Sequence, residues 1–345
     1  MSTQSHPDQA AQRSPVETLT DMIMAYRLSQ LIYVAARLGI ADFLKDGPKS
    51  SEELAALVDV HPHALYRVLR ALASNDIFAE TEGRYFALTP LAEPLQTEVP
   101  GSVHGLAMMH NQSPRWRAWG ELLYSVNTGK SAFEHIHGMS NWEYYASDPD
   151  VIEQFNEGMA ELTKKATPAI VTAYDFAGRR RIVDVGAGRG HLMAAILEHN
   201  PQLCGVMVDV PALIEDARTV LEAAGVTARC ELVAGDYFAP LPQGGDVYIL
   251  KSIIHGMPEE NALRLLRNCR QSMVDDGRVL VIQVIVPSGN EPAQIKVSDI
   301  LHLVSGGGQE RTEAEYRALF DAAGFKLVKV YPTATSFSIL EGVPA

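Results

Sequence analysis

The chain has 345 residues, of which 47% are hydrophobic and 21% charged, and a formal net charge of −13. That length exceeds one ordinary core, so two domains are expected, and the composition is that of a soluble globular protein. The acidic balance disfavours nucleic acid as a partner, and no apolar run approaches the roughly 18 residues that span a bilayer.

The first 15 or so residues, MSTQSHPDQAAQRSP, are polar, lack an apolar signal core and are expected to be disordered. From Val16 to Leu44 apolar residues recur at spacings of three and four (Met22, Met24, Leu28, Leu31, Ile32, Ala35), which predicts helix. Ser51 ahead of Glu53 reads as the cap of a second helical run, and HPHALYRVLRALASN as a third, closing on Asn75-Asp76. ETEGRYFALTP reads as a hairpin turning at Gly83. Helix, turn, helix and β-wing make a winged-helix module over residues 16–100. Its N-terminal helices carry more apolar surface than a small domain can hide, so a homodimer formed through them is expected.

Residues 101–172 read as linking helices rich in Met and aromatics, and the texture changes at Arg180. RRIVDVGAG, CGVMVDV, CELVAGDYF, GDVYILKSII, GRVLVIQVIV, VKVYPT and FSILEG read as strands, most of them separated by helical stretches. Such alternation predicts an α/β fold over 173–345 with a doubly wound, mostly parallel sheet. Cys204, Cys230 and Cys269 are scattered with no CxxC spacing, which points to a reducing, cytoplasmic setting and against a structural zinc or disulfide frame.

Gly186, Gly188 and Gly190 fall where a buried strand turns into a helix, where a backbone without Cβ atoms lets a ligand approach. A dinucleotide pattern would place its third glycine at 191, which is His191; GxGxG with Asp184 in the strand suits S-adenosylmethionine better than NAD. Asp209 ends the next strand, where a carboxylate accepts from ribose hydroxyls. In AGDYF, Asp236 is placed either to cap its own turn or to take the adenine amino group, with Tyr237 or Phe238 flanking the ring. ILKSIIHGMPEE then puts His255 at the mouth of the same site, with a strand-end core histidine as the other reading.

The chain resembles the bacterial branch of the plant-type, S-adenosylmethionine-dependent small-molecule O-methyltransferases. The likeness runs from about residue 16 onward and is carried by VDVGAGRG, VDVPALI, GDYF, LKSIIHGMPEENALRLLRNCR and GGQERTEAEYRALFDAAGF. It implies a Rossmann-like methyltransferase sheet behind a winged-helix-like dimerisation domain. It implies that Gly186, Asp209, Asp236, Phe238 and Lys251 hold the cofactor, with Gly188 and Tyr237 beside them, and that His255 is the general base. An acid and a tryptophan usually follow this histidine, where the chain has Gly256 and Met257. Of the family's two glutamates, one position is Gln283 and the other matches Glu310.

A phenol ionises near 10 and an imidazole near 6.5, so the acceptor's proton moves as the methyl arrives. Glu310 is then expected to orient the imidazole, or alternatively to cap the helix ahead of RTEAEYRAL. Met108, Trp119, Phe155, Asn156 and Met159 are candidates for an apolar acceptor pocket, with packing as the competing reading. The acceptor class implied is a hydroxylated aromatic of secondary metabolism. Gln283 keeps open a relative that binds the cofactor but does not methylate. A DNA-binding regulator is a remote alternative, since Arg67 and Arg70 alternate with core leucines. A metal enzyme has only His135 and His137, in HIHG, which read as solvated loop residues with no third ligand. No metal and no membrane are expected.

Overall fold

The computed structural model describes residues 14–345. The disorder expected for the first 15 falls outside that range but for two residues. Ser14 caps, and Pro15 opens, helix Pro15–Met24, with Glu17 completing a capping box. The chain divides into two compact units, one reaching Asn111 and one comprising Gln112–Ala345. Among the described residues no helix is long and apolar enough to cross a membrane.

In the first unit the predicted run 16–44 breaks into helices Pro15–Met24, Tyr26–Arg37 and Ile40–Phe43; the second break comes where Gly39 turns the backbone left-handed at φ 61°. Helices Ser51–Leu57 and Pro62–Ala73 follow, then a wing. The wing is built from β1 (Lys49–Ser50), β2 (Ala79–Thr81) and β3 (Tyr85–Ala87), in the order β1-β3-β2. The cap of the 51–57 helix is Ser50 rather than Ser51: Ser50 Oγ accepts from Glu53 N–H and the Glu53 carboxylate accepts from Ser50 N–H. Ser51 itself is buried inside the first turn. Leu54, Leu65, Leu69, Leu72, Phe78 and Phe86 close the core of this winged helix.

The second unit holds a seven-stranded sheet of β4 (Arg181–Val185), β5 (Cys204–Asp209), β6 (Cys230–Ala234), β7 (Gly245–Lys251), β8 (Met273–Val284), β9 (Phe325–Pro332) and β10 (Phe337–Pro344). The order is β6-β5-β4-β7-β8-β10-β9, parallel except that β10 runs antiparallel to both neighbours. Alternate residues feed opposite layers. Val183, Val185, Val206, Val208, Tyr248 and Leu250 face one core, while Ile182, Met207, Val247, Ile249, Leu280 and Ile282 face the other. Both faces are covered, which is why these strands read as continuous apolar runs. The strand order reverses between β4 and β7, so the connections leaving their carboxyl ends diverge and open a crevice there.

Candidate active site

The crevice is lined on one side by the turn after β4. Gly186, Gly188 and Gly190 hold φ values of 73°, 58° and 80°, a region in which side chains are strained. A Cβ at Gly186 would collide with the Ile253 side chain, whereas the space at Gly188 is open. Gly188 N–H donates to Asp209 Oδ2 at 2.7 Å, and Val210 N–H donates to Oδ1 at 2.7 Å. Burial raises the Asp209 pKa, and these two amide bonds oppose the rise. A bare glycine turn facing an anchored, partly desolvated carboxylate fits a nucleoside with free ribose hydroxyls.

Beyond β6, Asp236 is exposed, and its Oδ1 accepts from Phe238 N–H at 2.8 Å, so it caps its own turn. Tyr237 and Phe238 meet edge to face at 4.9 Å, and the Arg264 guanidinium lies 4.9 Å from the Phe238 ring. At the end of β7 Lys251 is buried; its Nζ reaches Thr163 Oγ1 at 3.0 Å and sits 5.0 Å from the Phe337 ring centre. Burial pulls its ammonium down to about 8 against the opposing charge of Asp184. Burial, helped by the negative charge of Asp209, pushes Asp184 up to about 7. Asp184, Asp209 and Lys251 thus form one electrostatic group beneath the glycine turn.

His255 lies in the short 3₁₀ turn Ile254–Gly256, just past β7. Its Nδ1 is 2.7 Å from Glu310 Oε1, and its side chain remains 20% exposed while that of Glu310 is 4% exposed. A carboxylate only accepts, so Nδ1 carries a hydrogen, and in the neutral ring the lone pair is then on Nε2. The same Oε1 lies 3.2 Å from His302 Nε2, and the two imidazole centres are 4.4 Å apart. Burial alone would raise Glu310, but hydrogen bonds and charge from both histidines hold its carboxyl down at about 2. Glu310 is not the helix cap: Thr312 caps helix Glu313–Ala322 in a capping box with Glu315. Among the described residues, His255, His302 and Glu310 also form a group of donors compact enough for a cation, all within 4.8 Å, but the observed spacings are those of hydrogen bonds.

Gln283 is buried on β8, one residue past Ile282, which pairs with Lys251. Its Nε2 has no partner among the described residues. Met257 packs in the core with Ile254 and Leu266 rather than in open space. Trp119 and Phe155 join a cluster around Phe133 and Tyr145, with Phe155 5.6 Å from Tyr145. Asn156 and Met159 are half-buried on helix Pro149–Ala173, and Met159 O accepts from Thr163 Oγ1. Met108 is buried on helix His104–Asn111 in the first unit. His135 and His137 are not loop residues: they end helix Ala132–His137, where His135 stacks on Tyr124 at 3.9 Å and His137 bonds Pro114 O. Sequence reasoning missed His302, Asp299 and Thr163. The only signal for the first two was their spacing of three in DILH, one turn before GGGQE.

Residues 119–326 match the model of the O-methyltransferase domain, and residues 20–98 that of the O-methyltransferase dimerisation domain. The chain is 43% identical over 326 residues to the phenazine O-methyltransferase of Lysobacter antibioticus, covering 94% of this chain and 95% of that one. It is 34% identical over 331 residues to a mitomycin biosynthesis 6-O-methyltransferase of Streptomyces lavendulae, covering 96% and 95%. An O-methyltransferase from neocarzinostatin biosynthesis, solved with S-adenosylmethionine and 2-hydroxy-5-methyl naphthoic acid, superposes with a TM-score of 0.84 at 28% identity, covering 97% and 100%. With the dimerisation model matched ahead of the O-methyltransferase model, and the latter spanning the glycine turn and the His255–Glu310 pair just described, the chain belongs to the S-adenosylmethionine-dependent O-methyltransferases of bacterial secondary metabolism.

Proposed function

We propose that the protein methylates a hydroxyl on a flat, multi-ring aromatic natural product, with His255 as general base and Glu310 as the group that orients it. The observation that carries this reading is the 2.7 Å contact between His255 Nδ1 and the buried Glu310 carboxylate. It leaves Nε2 as the lone pair able to take a proton, and it places a negative charge where the imidazolium forms. The bound cofactor supplies an electrophilic sulfonium methyl, which leaves this chain to align the acceptor oxygen and accept its proton. Asp209 would hold the ribose, and Asp236 with Tyr237 and Phe238 the adenine end. Lys251, Gly186 and Gly188 would shape the floor between them.

The aromatic character of the acceptor is supported by relatives named for phenazine and mitomycin and by a neighbour bound to a naphthoic acid. Trp119, Phe155, Asn156 and Met159 would line its pocket. We further propose residues 16–100 as the dimerisation domain, 101–172 as linking helices that shape the pocket, and 173–345 as the methyltransferase domain.

The test is turnover of hydroxylated phenazines and naphthoates. His255→Ala should leave cofactor affinity near wild type while kcat falls about 10²–10⁴-fold. Glu310→Gln should cost nearly as much, because the two side chains act as one unit. Full methyl transfer by His255→Ala would mean that proximity alone drives the reaction. Cofactor binding with no transfer to any hydroxylated aromatic would favour a non-methylating reaction on the same scaffold.

A further inference from the structure

We infer, taking His255 as the base, that His302 is a positioning residue for it, fixing the Glu310 carboxylate through a shared oxygen without touching the acceptor. Helix Gln294–Ser305 grips Glu310 at two points. Asp299 Oδ1 accepts from Glu310 N–H at 2.7 Å, and three residues on, His302 Nε2 reaches Glu310 Oε1 at 3.2 Å. Residues spaced by three share a helix face, so one face of one helix holds both ends of the glutamate. The helix closes directly after this grip, with Gly306 N–H and Gly307 N–H both donating to His302 O. Gly308 then lies so close to the 254–256 turn that a Cβ would collide with His255 O and Gly256. The route from His302 to His255 is therefore short and tightly packed.

Pinning the Glu310 backbone through Asp299 does not fix a side chain with three rotatable bonds. Its Oε2 has no hydrogen-bond partner among the described residues, so the plane of the carboxylate is set by the two imidazoles on Oε1. A carboxylate oxygen has lone pairs for both N–H donors. Without His302 the only hydrogen bond left on the carboxylate, among the described residues, would be that of His255, and base and carboxylate could shift together. The role also requires His302 to donate without cancelling the Glu310 charge. Burial, the largest influence on its ring, favours the neutral form that does this.

The comparison of His302→Leu with His302→Gln tests the inference, because the glutamine Nε2–H can replace the imidazole Nε2–H and leucine can only fill space. Two readouts are taken: kcat and KM with S-adenosylmethionine and a hydroxyphenazine, and ¹⁵N-edited spectra of the histidine rings in the free enzyme. His302→Leu should keep the cofactor KM and lower kcat about tenfold, less than the hundredfold that an ångström of misplacement costs. It should also broaden the His255 Nδ1–H resonance, and His302→Gln should restore most of both. Unchanged kcat and ring spectra in His302→Leu, or equal losses in the two variants, would overturn the inference. If His302→Leu fails to fold, His302→Met makes the same comparison. Full activity in His255→Ala would remove the base and not this restraint, since the ring spectra of the wild type and His302→Leu report the restraint directly.

Discussion

Asp209 shows how a single side chain at a strand end was legible in the sequence. Its carboxylate ends β5, as its position in the sequence predicts, and closes on Gly188 N–H at 2.7 Å; the ribose role proposed for it is open to a direct test. Asp209→Ala should weaken S-adenosylmethionine binding by about 1.5–3 kcal/mol, the scale of hydrogen bonds to a charged group. Calorimetric titration with unchanged affinity would remove the ribose from this carboxylate. His191 was visible only as a missing glycine. Burial, with the positive charges of Lys164 and Arg189, lowers its pKa to about 4. The unfolded chain takes up this proton near 6.5, so the contribution is complete above about 6.5 and is lost as pH falls toward 4. Discounted for its exposed edge, the loss amounts to about 1–2 kcal/mol. Thermal melts at pH 7 and pH 4.5 should show a larger drop for wild type than for His191→Gln. Glu310 was ambiguous for a different reason: capping and base-orienting acids look alike in sequence, and only the position of Thr312 separates them. Gln283 stood out as an odd residue, but its burial with an unpaired Nε2 depends on its register on β8.

At the level of elements, period-two and period-3.6 patterns placed the strands and most helices, because burial on one or both faces writes itself into the chain. What was lost was local. Ser50 and Ser51 both precede Glu53, and the cap is chosen by which hydroxyl stands three residues before it. Helix Ala132–His137 is too short to show a period, so HIHG read as a loop. Loop packing was equally hidden: GGGQE announces flexibility, yet Gly308 is there because the 254–256 turn leaves no room for a side chain. Gly308→Ala should therefore separate the Glu310 loop from His255. Overpacking of this kind costs about 1–3 kcal/mol or more. The expected result is a lower melting temperature and a kcat approaching that of Glu310→Gln, with cofactor affinity retained. An unchanged kcat would show that the His255–Glu310 pair does not depend on this close approach.

At the scale of the whole molecule, the order of the two units was readable from the change of texture near residue 180, whereas the contact-defined boundary falls at Asn111 within what reads as linking helix. Among the described residues, helix Pro15–Met24 has no buried residue. Val16, Leu19, Met22 and Ile23 are 59–74% exposed, and their spacing gathers them on one side of the helix. A second copy is the occupant that the matched dimerisation domain supports. Burying one such side chain is worth about 1.5–3 kcal/mol, so Leu19→Asp with Ile23→Asp removes about 6–12 kcal/mol over two protomers. Micromolar association corresponds to about 8 kcal/mol, and ordering costs already draw on the rest. Light scattering at micromolar concentration should thus give about twice 37.7 kDa for wild type and one chain mass for the double variant. A wild type that scatters as a single chain would sink the homodimer, and an undissociated double variant would move the interface away from this helix.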